Sequence, residues 1–147
     1  MNVQPFKAFA MPAELEARWE GLISEARVRI EAGDGQSGLT SAKQAWDLIP
    51  EPRVSCNVSY ITLLGMVKGF VAARAYDEGI EMMEWVLEHN PFARQIPVFL
   101  VQKGILEFEA GLLDAARISF KRAWKLAKDF GFKTEDPKYL AFLRNVP

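Results

Sequence analysis

Apolar residues recur along most of this chain at the three- and four-residue spacing of an amphipathic helix. Leu15, Trp19, Leu22, Ile23, Ala26 and Ile30 form the first such stripe. Pro12 suits the first turn of that helix and Glu14 and Glu16 lie near its positive end, while Gly33-Asp34-Gly35 stops it. The pattern therefore predicts a helix from residue 12 to about 32. A shorter helix at about 37–49 is ended by Pro50 and Pro52. Further helices are predicted at about 54–74, 76–89, 93–110 with Pro97 early, and 113–130 with Gly131 as its cap. Thr134-Glu135-Asp136-Pro137 reads as the acidic start of a last helix reaching about Asn145. No segment sustains the period-two alternation of a half-buried strand. The expected fold class is all-α: three long–short helix pairs and a closing helix.

The chain also nearly repeats itself. Glu31-Ala32-Gly33 and Ala45-Trp46-Asp47-Leu48 return, shifted by 78 residues, as Glu109-Ala110-Gly111 and Ala123-Trp124-Lys125-Leu126. Trp85 lies midway, 39 residues from both Trp46 and Trp124. Self-similarity at such a period marks stacked helical repeats, which present a surface to another macromolecule more often than they build a catalytic pocket. A helix pair of this kind needs small residues where its helices cross and large ones to bridge outward. The third pair has Gly104, Gly111 and Ala116, then Phe120, then Ala123.

Those residues resemble the tetratricopeptide repeat, as do Gly79, Met83, Val86 and Pro91 of the second pair and Ala26, Gly33, Gly38, Ala45 and Pro50 of the first. Two departures stand out: Arg74 where a turn glycine is expected, and Glu107 where an aromatic residue usually sits. The spacing is also longer than the usual roughly 34 residues. The resemblance implies three hairpins in a right-handed superhelical stack over residues 12–131, preceded by an N-terminal arm (1–11) and closed by a C-terminal capping helix (132–147). It further implies a concave groove presenting Ile23, Arg27 and Ile30, then Leu64, Lys68 and Val71, then Val101, Ile105 and Phe108. That groove would be mostly apolar with two cationic rungs, as a partner-binding surface often is. The competing reading packs these residues against the arm, the final helix or each other. Asn90-Pro91-Phe92 and the segment from Glu135-Asp136-Pro137-Lys138-Tyr139 to Leu143 are more narrowly similar to small bacterial tetratricopeptide proteins encoded beside secreted polymorphic toxins. That likeness implies an immunity protein whose partner is a toxin domain.

Composition narrows the function classes. Half of the 147 residues are hydrophobic and a quarter charged, as in a globular domain. A formal net charge of −1 argues against an electrostatic nucleic-acid binder. The most apolar segment, residues 58–67, is interrupted by Lys68 and too short to span a bilayer, and residues 1–10 hold no continuous signal-peptide core. The single cysteine, Cys56, excludes an intramolecular disulfide, and a cytoplasmic location is expected.

Candidate chemistry is sparse. With one histidine and one cysteine, a catalytic triad or metal cluster has almost no material, so no enzyme, metal or cofactor is expected. His89 at a helix end reads as structural, and Cys56 as a buried inert thiol. Glu81, Glu84 and Glu88, with Asp77 and Glu78 alongside, share a helix face that is either an acidic patch for a basic partner or a solvated surface. Arg117, Lys121, Lys125 and Lys128 form a basic stripe open to the same two readings. Trp46 and Trp124 are expected to pack between repeats. Phe6, Phe9 and Met11 in the arm show no pattern; the arm docks, engages a partner or stays loose. The function expected is a non-catalytic protein-binding module, most specifically an immunity protein neutralising a cognate toxin. The alternatives are a secretion chaperone and a self-associating scaffold subunit.

Overall fold

The structure is a computed structural model that describes residues 8–90 and 92–145. Its described residues form seven α-helices, with one isolated bridge and no strand. No helix is long and apolar enough to cross a membrane. The chain divides into two compact units, Met1–Ala73 and Arg74–Pro147. Met1 and Phe6 of the expected arm, and the expected repeat-ending Pro91, lie outside the described residues.

In the first unit, α1 (Ala13–Glu31) packs along α2 (Gly35–Leu48), and α3 (Ser59–Ala72) packs on α2 and touches α1. Pro12 precedes α1, and its carbonyl accepts from Leu15 and Glu16. The Asp34 carboxylate caps α2 by accepting from the Ser37 N–H at 3.2 Å, satisfying an amide the helix leaves unpaired. Leu39, Ala42, Ala45, Trp46, Leu63, Val67 and Phe70 are buried between the helices. Trp19 is buried too, and its indole N–H donates to Thr62 Oγ1 at 2.9 Å, tying α1 to α3.

The third predicted helix starts later than its apolar run suggests. Residues 53–55 form a 3-10 turn, and the segment after it is held extended by the arm. The Phe9 N–H donates to the Ser55 carbonyl, the Asn57 N–H donates back to Phe9, and the Met11 N–H donates to Asn57 Oδ1. The arm thus docks from Phe9 onward, and Met11 is buried.

In the second unit, α4 (Tyr76–His89) packs on α5 (Pro97–Glu109), α5 along α6 (Leu113–Ala127), and α7 (Pro137–Arg144) on α6. Pro97 opens α5, because residues before a proline avoid helical geometry. Likewise α6 ends before the expected Gly131. Lys128 takes φ +53° and turns the chain into a 3-10 segment, Lys128–Phe132. Gly131 packs instead against Pro97 and Val101. Asp136 caps α7 by accepting from the Lys138 N–H.

Phe120 is fully buried, with its ring over Gly104; a Cβ at residue 104 would overlap Cε1 and Cδ1 of that ring. Phe132, Tyr139 and Phe142 surround the same ring at centroid distances of 5.4, 5.9 and 6.3 Å. Glu107, at the expected aromatic position, is buried and neutralised. Its carboxylate accepts from Ser119 Oγ at 2.5 Å and pairs with Lys103 at 3.1 Å. A buried carboxylate without such partners would be strongly destabilising.

Arg74 resolves the other departure. Gly33, Arg74 and Gly111, each just after a predicted first helix, have φ of +87°, +57° and +82°. The backbone geometry is common to all three turns, but only Arg74 bears a Cβ that penalises it. Arg74→Gly is expected to raise stability by about 0.5–1 kcal/mol. Thermal unfolding of the two proteins side by side checks this, and a variant less stable than the parent contradicts it.

Candidate functional site

The face that α1 and α3 share holds most of the groove residues expected from the first two pairs. A cleft of about 190 Å³ lies there, lined by Ile23, Ala26, Arg27 and Ile30 from α1 and by Gly65 and Lys68 from α3, with Glu31 at its edge. Ile23 and Ile30 are half-buried, so each keeps apolar surface toward water. Gly65 widens the cleft, because a Cβ built there meets no atom within 4 Å. Arg27 and Lys68 are exposed, and neither has a hydrogen bond or ion pair among the described residues. Leu64 and Val71 are also half-buried on α3 but do not line the cleft. The arrangement is an apolar hollow flanked by two cations and one carboxylate, Glu31, a net positive rim suited to an apolar side chain next to a carboxylate.

The third set of groove residues is placed differently. Val101 and Ile105 are core residues, 0% and 4% exposed, and so are not offered to a partner. The 3-10 segment lies against Val101 through Gly131. Phe108 is half-buried under α7, edge-on to Tyr139 at 5.3 Å and to Phe142 at 5.1 Å. For these three residues the alternative of packing within the fold and against the final helix is the one the structure has.

A clasp that the sequence does not announce holds α7 over Phe108. Glu109 Oε1 accepts from the Tyr139 hydroxyl at 2.8 Å and pairs with Lys138 Nζ at 2.8 Å. Partial burial opposes Glu109 ionisation, yet the hydrogen bonds from Lys138 and Tyr139 together hold its carboxyl below the ordinary value. Burial, and then the carboxylate accepting its hydrogen bond, push the Tyr139 phenol well above its ordinary value. The sequence signal was only an acidic residue at a helix end and a Lys-Tyr pair 29 and 30 positions later, which no periodicity links.

The charged stripes divide. Glu81, Glu84 and Glu88 are exposed along α4, with exposed Trp85 among them. Lys121 and Lys125 are exposed on α6, and Lys128 is exposed just past its end. Arg117 leaves that stripe: its guanidinium lies over the Phe142 ring, 4.6 Å from the centroid. Trp46 is buried as expected, but Trp124 is 38% exposed, with Lys128 over its ring. The His89 Nδ1–H donates to the Trp85 carbonyl at 2.9 Å, and its ring stacks on the Trp85 indole. Cys56 is a buried free thiol. Among the described residues no group of three or more His, Cys, Asp or Glu side chains is placed to hold a metal ion.

The clasp has a defined pH window. A depressed carboxyl pKa adds stability that is full above the unfolded value of 4.5 and is lost as pH falls through the folded value. Glu109→Gln is expected to cost about 1–2 kcal/mol at neutral pH. The difference between variant and parent should shrink as the pH drops below that unfolded value. Thermal unfolding of both proteins across an acid series measures it, and a pH-independent difference contradicts the clasp.

No protein-family model, no curated protein and no solved structure matches this chain.

Proposed function

We propose that this protein is a non-catalytic protein-binding module of tetratricopeptide type whose α1–α3 cleft receives a segment of a partner protein. The observation that carries the reading is the pair of exposed cations without an ion pair, Arg27 and Lys68, outnumbering Glu31 around the half-buried Ile23 and Ile30 and the space left by Gly65. An apolar hollow rimmed by charged residues is a common mark of an interaction surface. The segment such a site fits is an apolar side chain flanked by Asp or Glu. Three repeats in a right-handed superhelical stack, capped by α7, form part of this proposal. The left-handed turns at Gly33, Arg74 and Gly111 support it.

The specific role proposed within that class is a cytoplasmic bacterial immunity protein. It would bind a secreted toxin domain stoichiometrically and block its active site or a conformation that it needs. The support is the resemblance of residues 90–92 and 135–143 to toxin-linked repeat proteins. The short reach of the cleft, which accommodates one or two side chains, favours a folded partner with a protruding residue over a long extended client.

The test begins with capture of the partner from host lysate, followed by affinity measurement with purified proteins. Arg27→Glu combined with Lys68→Glu is expected to weaken binding roughly 10- to 100-fold. Gly65→Leu fills the cleft from a helix position with open space around it, and should weaken binding without lowering thermal stability. Unchanged affinity in both variants would rule the cleft out as the binding site. Failure of co-expression to protect cells from the captured partner's toxic domain would remove the immunity role.

A further inference from the structure

Two exposed helix faces of the second unit carry opposite charge, each around an exposed tryptophan. On α4, Glu81, Glu84, Trp85 and Glu88 fall at positions i, i+3, i+4 and i+7, and all four are exposed. On α6, Lys121, Trp124 and Lys125 fall at i, i+3 and i+4 and all three are exposed; Lys128, just past the helix end, is exposed beside them. Such spacing puts the four α4 residues on one side of their helix over two turns, and Lys121, Trp124 and Lys125 on one side of α6 over a single turn. The chain has four tryptophans: Trp19 and Trp46 are buried, whereas Trp85 and Trp124 are 42% and 38% exposed within these faces. Tryptophan left exposed among like charges is a common anchor of protein interfaces.

The two faces differ in how their rings are held. Trp85 stacks one face on His89 at 4.5 Å and stays 42% exposed. Trp124 donates its indole N–H to Asp129 at 3.0 Å and carries the Lys128 ammonium 4.1 Å above its ring. Beside Trp124, a cleft of about 460 Å³ opens between α6 and α7, lined by Trp124 and Leu143 and by Lys121, Lys125 and Arg144. Arg144 is paired with Asp129, leaving Lys121 and Lys125 as its uncompensated cations. On the other face, no ion pair among the described residues joins Glu81, Glu84 or Glu88 to a cation. Each face thus carries the charge that the other lacks, and one of them has a hollow large enough for an indole.

We propose that α4 of one copy docks on α6 of a second copy, with Trp85 seated in the cleft beside Trp124 and Leu143 and the glutamates facing Lys121 and Lys125. Because the two faces are different surfaces, the contact is heterologous: each copy keeps one free face of each kind, and association proceeds head to tail. Patches of one to two helical turns are small beside the roughly 1,600 Å² of a standard stable interface, so the association is weak and strongly salt-dependent. The contact uses none of the α1–α3 cleft residues, so its failure would leave the proposed function standing.

Sedimentation velocity of the full chain over a concentration series decides the matter. The average mass should rise with concentration at about 0.01 M ionic strength, where charges act over roughly 30 Å, and return to monomer near 1 M, where they act over roughly 3 Å. Glu84→Gln with Glu88→Gln neutralises the acidic face, and Lys121→Gln with Lys125→Gln the basic one. All four positions are exposed, so both variants should keep the parent's circular dichroism and melting temperature. Each variant alone is expected to associate roughly tenfold more weakly than the parent. An equimolar mixture of the two retains one intact pair of faces and should associate up to a 1:1 dimer and no further. A parent that stays monomeric throughout the series, variants that associate as the parent does, or a mixture that fails to pair would each overturn the proposal.

Discussion

The ring of Phe120 occupies the space where residue 104 would carry a side chain, and the arrangement of the second unit follows from that contact. With glycine at 104, α6 sits close enough to α5 for Phe120 to be wholly buried. Phe132, Tyr139 and Phe142 then gather round the same ring, so the 3-10 segment and α7 take their positions from it. The first unit uses the same device with aliphatic partners. A Cβ on Gly38 would lie 2.5 Å from Ile30, and one on Gly69 would lie 3.0 Å from the Leu39 backbone. Close crossings of this kind let interiors reach the packing density that helices bearing larger residues would forfeit.

Most of this was legible in the sequence because helix periodicity and breakers are local. The boundaries of α1, α2, α4 and α7 follow from Pro12, from Gly33-Asp34-Gly35, from Asn90 and from Asp136-Pro137. The misplaced ends have non-local or backbone causes. The start of α3 is delayed by hydrogen bonds from Phe9 and Met11, more than forty residues away. At the other end of the chain, α6 stops because Lys128 adopts a left-handed conformation that its side chain does not announce. Arg74 and Glu107 looked like departures from a repeat. The first has the backbone geometry of a turn glycine, and the second is a buried acid balanced by Lys103 and Ser119.

The candidate site was legible in half. Ile23, Arg27, Ile30 and Lys68 line one cleft because α1 and α3 lie side by side. Extending that register to α5 failed for Val101, Ile105 and Phe108, because α7 and the 3-10 segment cover what would otherwise be exposed. Periodicity identifies an apolar face but not whether the chain's own terminus or another molecule covers it. The clasp of Glu109, Lys138 and Tyr139 is what decides this for Phe108. Charge works the other way: acidic and basic stripes read directly from spacing stay on the surface, apart from Arg117, which an aromatic ring draws inward.

The packing of the second unit rests on the missing side chain at residue 104, which sets the distance between α5 and α6. A double-mutant cycle of Gly104→Ala and Phe120→Leu, followed by chemical denaturation, measures it. Gly104→Ala is expected to cost about 1–3 kcal/mol in the parent protein. It should cost much less in the Phe120→Leu background, where the smaller side chain leaves room, with a coupling energy of about 0.5–3 kcal/mol between the two positions. Strictly additive effects, or a Gly104→Ala protein as stable as the parent, would contradict it.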